Sequence, residues 1–380
     1  MSEQSDVVVV GGGVIGLACA WRAAQRGLDV TVLERERPGA GASWVAAGML
    51  APVTEAQFGE QGLLRLNLAA AASYPEFAAE LEESSGVTIG YRRCGAVYLA
   101  LDRDDVEELK RLEAFQRSLG LEVEWLLPRR CRELEPGLST ACAGGLWAAT
   151  DGEVDPRALV QALAAAAERA GATIHQGAEV VRGLFDGERL VGVETEYGTR
   201  YAGGAVVLAA GAWSGEMSWL PEQARPPIRP VKGQVLRLRA PVEEPLCERL
   251  IRTPFVYVVP RADGRVVVGA TTEERGFDTT VTAGGVHELL REAYRVLPDV
   301  AELELEEAIA GLRPGSPDNT PSIGPGAVPG LIVATGHYRN GILLAPVTAD
   351  AVVALLTGEE PPLPLDACAP DRFARTMEPA

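Results

Sequence analysis

Apolar positions open the chain as an unbroken run. Val7, Val8, Val9 and Val10 follow Asp6 and stop at Gly11, Gly12 and Gly13. A short apolar run bounded by glycine is the pattern of a strand buried on both faces of a parallel sheet. From Val14 the spacing changes to that of a helix, predicted to about residue 26, and residues 29–33 read as a second strand. Residues 63–83 and 104–119 carry the period of amphipathic helices, with Asp104 and Asp105 suited to the start of the second. Strands are predicted at 97–100 and 122–126, in what looks like an inserted region. An alternating α/β style returns with a helix at 155–170 and strands at 173–175 and 205–208. Between those strands, residues 178–185 and 190–195 form a hairpin around Asp186 and Gly187. From residue 231 the pattern is β, with strands at 234–238, 256–259 and 266–270. Asp263 and Gly264 between the last two are a strong hairpin signal. A helix at 286–297 precedes the stretch 303–311, an arginine-bearing turn GLRPGSPDNTPSIG, a strand at 331–334 and a last helix to about 356. The proline-rich tail from Glu359 is predicted to be loosely attached, and no internal repeat is visible.

The glycines after the valine run change this outline into a chemical expectation. Gly11, Gly13 and Gly16 have the G-x-G-x-x-G spacing. The first allows a tight turn, the second lets a pyrophosphate approach the backbone, and the third lets the helix pack closely on the strand. The helix that follows would aim its N-terminal amides and dipole at the phosphates. Glu34 ends the second strand eighteen positions after Gly16, close to the spacing of roughly 20 residues at which an acid meets a ribose hydroxyl. Glycine-rich turns also serve ordinary strand-to-helix connections, but here strand, glycines, helix, second strand and terminal acid are all in register. The acid favours NAD or FAD over NADP.

Residues 35–52 are dense in small side chains and lack a period. Read blandly they are a flexible loop; read chemically, Ala42, Ser43, Ala47, Gly48 and Met49 wrap a flat ring system continuous with the dinucleotide. An ordinary nicotinamide enzyme would run on into another βαβ unit here, which this chain does not. The strand ending at Ala209, Ala210 and Gly211 suits a second backbone approach to the nucleotide.

With 380 residues, 47% of them hydrophobic, the chain is long enough for a sizeable core and two or three domains. Thirty-five basic against 53 acidic residues, a net charge of -18, argue against nucleic acid or an anionic membrane as partner. No stretch approaches the roughly 18 uninterrupted apolar residues of a membrane helix, and the start is too acidic for a secretory signal, so a cytoplasmic location is expected. The six cysteines contain no C-x-x-C pair and the three histidines no ligand spacing. No metal site is expected, and the thiols read as buried or incidental.

The motifs VVVVGGGVIG with Glu34, GASWVAAGMLAP, GLRPGSPDNTPSIG and ATGHYRNGILLAP together resemble the FAD-dependent D-amino-acid oxidase family, in particular its glycine oxidase branch, which serves the thiazole of thiamine. The likeness spans nearly the whole chain. It implies an α/β fold with a Rossmann-like FAD-binding domain (1–50, 143–225 and 310–380) and a β-rich substrate domain (51–142 and 226–309). It implies FAD against Val14, Ile15, Glu34, Arg35, Ala42, Ser43, Ala47, Gly48, Met49, the backbone of Val180, and His337, Tyr338, Arg339, Asn340, Gly341, Ile342 and Leu343. Arg313 falls at the substrate carboxylate with Arg339 beside it, and Tyr257 at the position whose hydroxyl assists there. Relatives that tether flavin covalently use a cysteine absent beside Arg313 here, so FAD is expected to be non-covalent. Thr272 stands where a methionine is expected near the flavin and Phe255 where a histidine can stand, which leaves substrate preference open. The implied reaction is oxidative deamination of glycine, sarcosine or small D-amino acids by oxygen to the imine or, after hydrolysis, glyoxylate with ammonia, together with hydrogen peroxide, in a homo-oligomer that the resemblance makes a tetramer.

Elementary chemistry supports part of this. An arginine fork matches a carboxylate with two charge-assisted hydrogen bonds, although Arg313 could equally serve a salt bridge. Arg339 precedes a helix whose dipole disfavours it, and its bland reading is a pair with Asp350 or solvent. Tyr257 could be a core or cleft-wall residue, and His337 a packed histidine that meets the flavin only through its backbone. Two alternatives stay open: a D-amino-acid or sarcosine dehydrogenase of the same family that passes electrons to a carrier other than oxygen, and a nucleotide-binding regulatory protein that has lost turnover, against which Arg313, Tyr257 and Arg339 together speak.

Overall fold

The valine run is the middle strand of the first sheet. In the computed structural model, which describes residues 2–376, strand Ser2–Val10 lies between Val30–Glu34 and Arg200–Leu208, parallel to both. Val7 and Val9 face one hydrophobic cluster and Val8 and Val10 another, each 5% exposed or less. A strand covered on both faces cannot alternate apolar with polar residues, which explains the run. The sheet extends through Thr173–Gln176 on one side and through Leu331–Thr335 to antiparallel Ser322–Pro325 on the other. The hairpin Val180–Asp186 and Arg189–Thr195 hangs from Arg200–Leu208. Helices Val14–Gln25, Pro156–Arg169 and Gly341–Thr357 cover one face.

A second, mainly antiparallel sheet runs in the order Glu304–Gly315, Arg229–Arg239, Arg265–Gly269, Tyr257–Pro260, Leu250–Arg252, Ala96–Ala100, Gly144–Ala148 and Glu124–Leu126. The Asp263 and Gly264 hairpin signal is realised between Tyr257–Pro260 and Arg265–Gly269, paired from Tyr257 with Gly269 to Pro260 with Val266.

Two segments lie across the expected partition. Helix Gln61–Ser85 packs into the first core through Leu66, Tyr74, Phe77 and Leu81, and the Tyr74 hydroxyl donates to the Ile342 carbonyl at 3.2 Å. Strand Gly144–Ala148 belongs to the second sheet, because its partners are Ala96–Ala100 and Glu124–Leu126. The tail is also better attached than its prolines suggest: Cys368 is buried and Arg372 pairs with Asp318 at 3.0 Å. Among the described residues no helix is long and apolar enough to cross a membrane.

Candidate active site

A cavity of about 420 Å³ opens at the carboxyl ends of the first sheet's parallel strands and runs to the second sheet. This is the place where open α/β sheets receive ligands. One end is built by the glycine turn. Gly11 adopts φ +109°, open to glycine at little cost, and approaches the Ala209 carbonyl. A Cβ on Gly16 would collide with the Gly11 carbonyl, so the third glycine serves helix-on-strand packing and does not line the cavity. Gly13 is the N-cap of helix Val14–Gln25 and supplies no side-chain cap. A Cβ there would meet only Ser43 Oγ, at 3.5 Å, so the space it leaves faces the cavity. Ser43 accepts from the Val14 amide at 3.0 Å. Glu34 accepts from the Gly12 amide at 2.7 Å and the Glu36 amide at 2.9 Å, one bond to each oxygen, which leaves lone pairs for hydroxyl donors. A helix N-terminus in a glycine cradle, capped only by Ser43 at its first amide and flanked by a partly satisfied carboxylate, is a donor and acceptor set that fits a ribose joined to phosphates.

The middle of the cavity is lined by Val14, Ile15, Arg35, Ala42, Ala47, Gly48 and Met49 from one side and by Val180, Ala210 and Gly211 from another. Met49 is in a short ladder with Glu153, which pins the small-residue loop to the chain at 152–153. His337, Tyr338, Arg339, Gly341 and Ile342 close the remaining wall. Asn340 and Leu343 do not reach it. Asn340 is the N-cap of Gly341–Thr357, and Leu343 points into the first core at 2% exposure. The His337 ring is buried against Thr348 Oγ1 at 3.0 Å, and burial pushes its pKa down to about 3. It is a neutral packed side chain, and no proton carrier near neutral pH.

At the far end stand Arg313, Tyr257 and Arg339. Arg313 lies within strand Glu304–Gly315, opposite Val231, and not in the turn that follows; strand pairing fixes its direction. Its guanidinium donates to the carbonyls of Thr271 at 3.1 Å and Lys232 at 3.4 Å. Among the described residues no carboxylate is within ion-pair distance of it. Tyr257 lies beside it; burial raises the phenol pKa although the Arg313 charge opposes this, so the hydroxyl keeps its proton. Arg339 has a buried Nε with no hydrogen-bond partner among the described residues, and Asp350 pairs with Arg22 instead, at 3.6 Å. Burial works against the Arg339 charge, but nearby Glu55 holds its pKa up.

Sequence reasoning missed Glu55 and Trp213, both on the cavity wall. Glu55 pairs with Arg252 at 3.2 Å. Its segment is held by buried Asp151, which accepts from the Val53 amide, the Thr54 amide and the Thr54 hydroxyl at 3.1, 2.9 and 2.6 Å. No local pattern marks Glu55, because its anchor is almost a hundred residues away. Trp213 follows Gly211 and carries the Arg35 guanidinium 3.7 Å above its ring. Thr272 is exposed and Phe255 is 60% exposed, and neither lines the cavity.

Comparison with known proteins agrees with this geometry. The family described as FAD dependent oxidoreductase (DAO) matches residues 6–355. A bifunctional ThiO/ThiG protein of Synechocystis is 38% identical over all of this chain, which covers 56% of that protein; the chain thus spans about half the length of such fused relatives. The glycine oxidase of Geobacillus kaustophilus is 38% identical over 95% of both chains. The crystal structure of glycine oxidase from that organism superposes with a TM-score of 0.91, at 36% identity over 97% of this chain and 99% of the other.

Proposed function

The chain belongs to the FAD-dependent oxidoreductase family, and from that premise we propose that it oxidises glycine, with sarcosine and small D-amino acids as further substrates, to the imine and hydrogen peroxide, water then hydrolysing free imine to glyoxylate (or the matching oxo acid) and ammonia (or methylamine from sarcosine). The imine would supply the thiazole of thiamine. The observation that carries this reading is the meeting of Arg313, Tyr257, Arg339 and Glu55 at one end of a cavity whose other end is the Gly11–Gly13 cradle.

Val14, Ile15, Glu34, Ser43 and the wall from His337 to Ile342 would hold FAD without a covalent bond. Bound FAD supplies the acceptor for the substrate's α hydride and the route by which the electron pair reaches oxygen. The protein's task is to bind and orient. Arg313, which has no carboxylate partner among the described residues, pairs with the substrate carboxylate in a fork, and the protonated Tyr257 hydroxyl donates a further bond to it. Glu55 offers an acceptor to the amine N–H. Arg339 adds positive charge, which favours an anionic substrate. No side chain has to act as nucleophile, and positioning is the main catalytic term.

A cytoplasmic homo-oligomer is part of this proposal, checked by fractionation and light scattering. The chemistry is tested by titrating the yellow protein with glycine without air and then admitting oxygen. Bleaching of the flavin band, return of colour in air and release of peroxide are expected. Bleaching that air does not reverse but an artificial acceptor does would point to a dehydrogenase, and a band that no small amino acid bleaches would sink the proposal.

A further inference from the structure

At the far edge of the second sheet, remote from the cavity lining, two thiols meet. Cys131 lies in helix Pro128–Leu134 and Cys142 precedes strand Gly144–Ala148; both belong to one hydrophobic cluster, at 0% and 4% exposure. Cys131 Sγ is 3.8 Å from the Leu126 carbonyl, and Cys142 Sγ is 3.9 Å from the Gly144 carbonyl. Those two carbonyls are neighbours. Leu126 pairs with Gly145 in the antiparallel ladder, and a Cβ on Gly144 would lie 3.0 Å from Leu126 O. The two sulfurs therefore sit against adjoining carbonyls inside one cluster, each the side-chain neighbour of the other. Beyond packing in that cluster, each thiol donates only to a backbone carbonyl among the described residues, and neither is in an ion pair.

We propose that Cys131 and Cys142 are a redox modification site, a dithiol that hydrogen peroxide closes into a disulfide joining helix Pro128–Leu134 to the start of strand Gly144–Ala148. The Cys142 thiolate attacks the peroxide O–O bond, giving a sulfenic acid and, after proton uptake, one water. Cys131 sulfur then attacks the sulfenic sulfur, forming the S–S bond and expelling a second water with its own proton. Two thiols and one peroxide become one disulfide and two waters, and the two sulfurs surrender the electron pair that the peroxide gains. Contact with Cys131 lowers the Cys142 thiol's pKa although burial opposes it, and the chain reaches the surface at Ala141 next to it, so Cys142 makes the first attack. The inference stands apart from the proposed reaction, because the oxidant can be added from outside.

The experiment treats the flavin-loaded protein with hydrogen peroxide or, separately, diamide. Thiols are then blocked under denaturing conditions, and peptides are mapped without reductant. Arg132, Glu133 and Glu135 give cleavage points between the two cysteines. Titratable thiols should fall from six to four, with the two cysteine peptides linked, two hydrogens lighter, and separated again by dithiothreitol. In Cys131→Ser, peroxide should leave a dimedone-trappable sulfenic acid on Cys142. Six persisting thiols, oxidation confined to the half-buried Cys94, or irreversible oxidation of Cys142 without a link would each overturn the proposal. The map of the unaltered protein decides even if the variant fails to fold.

Discussion

A Cβ on Gly233 would lie 2.6 Å from Cζ of Arg313. The glycine in one strand thus leaves room for the arginine of its neighbour, in the same way that Gly269 leaves room for the Tyr257 ring. The crowded atoms on Arg313 are the far end of a flexible side chain, so substitution moves the guanidinium and spares the sheet. Gly233→Ala is expected to fold and keep FAD while kcat/KM for glycine falls about 10- to 100-fold, since roughly 1.4 kcal/mol is a factor of ten. Unchanged kinetics would show that Arg313 does not hold the substrate.

Arg313→Ala should retain FAD, released by acid precipitation as expected of a non-covalent cofactor, and lose turnover. Loss of two charge-assisted bonds of about 1.5 to 3 kcal/mol each predicts a fall in kcat/KM of roughly two to four orders of magnitude. Arg313→Lys should recover only part, because a point charge cannot grip both oxygens. Amines without a carboxylate serve as the control: an equal loss on them would assign Arg313 to the fold.

The glycine turn separates binding from folding. Gly13→Val has little protein to collide with, so a folded, colourless apoprotein is expected. Gly16→Ala would drive a methyl into the Gly11 carbonyl, and should lower thermal stability even without cofactor. Apo melting curves and flavin absorbance of the two variants distinguish these outcomes.

His337 sets an acid limb. Its pKa falls from an ordinary 6.5 to about 3 in the folded chain, so the unfolded chain takes the proton first as pH drops. Its contribution to stability is fully present above pH 6.5 and is lost toward pH 3, at about 1.4 kcal/mol per pH unit. Denaturant unfolding between pH 7 and pH 5 should show a loss of about 2 kcal/mol that His337→Gln removes. An identical pH slope in the variant would refute the assignment.

Asp151 should matter to the site without touching it. Burial raises its pKa to about 6, against three hydrogen bonds from Val53 and Thr54. Removing it in Asp151→Ala leaves those donors unpaired, at a cost of about 2 to 4 kcal/mol, and releases the segment that presents Glu55. A rise in KM for glycine together with lower stability is expected; lower stability with unchanged KM would confine Asp151 to the fold.

What the sequence determined by itself is local. Val7 to Glu34 announce their strand, turn, helix and strand because each signal is spelled within a few residues: an apolar run, glycines at fixed offsets, a helical period, a terminal acid. The hairpin at Asp263 and Gly264 was legible for the same reason. The long cavity between two sheets was legible only through the family resemblance of widely separated motifs. Tertiary structure alone decided which residues of a motif face the ligand. Gly16, Asn340 and Leu343 share motifs with cavity residues yet turn into packing, because helix rotation and strand contact set their direction. It also placed Arg313 on a strand, where pairing with Arg229–Arg239 extends past the glycine and proline that read as a turn. Glu55 came to the site through Asp151, and Cys142 to Cys131, by contacts that no periodicity records, since a hydrogen bond to a distant segment leaves no spacing in the chain.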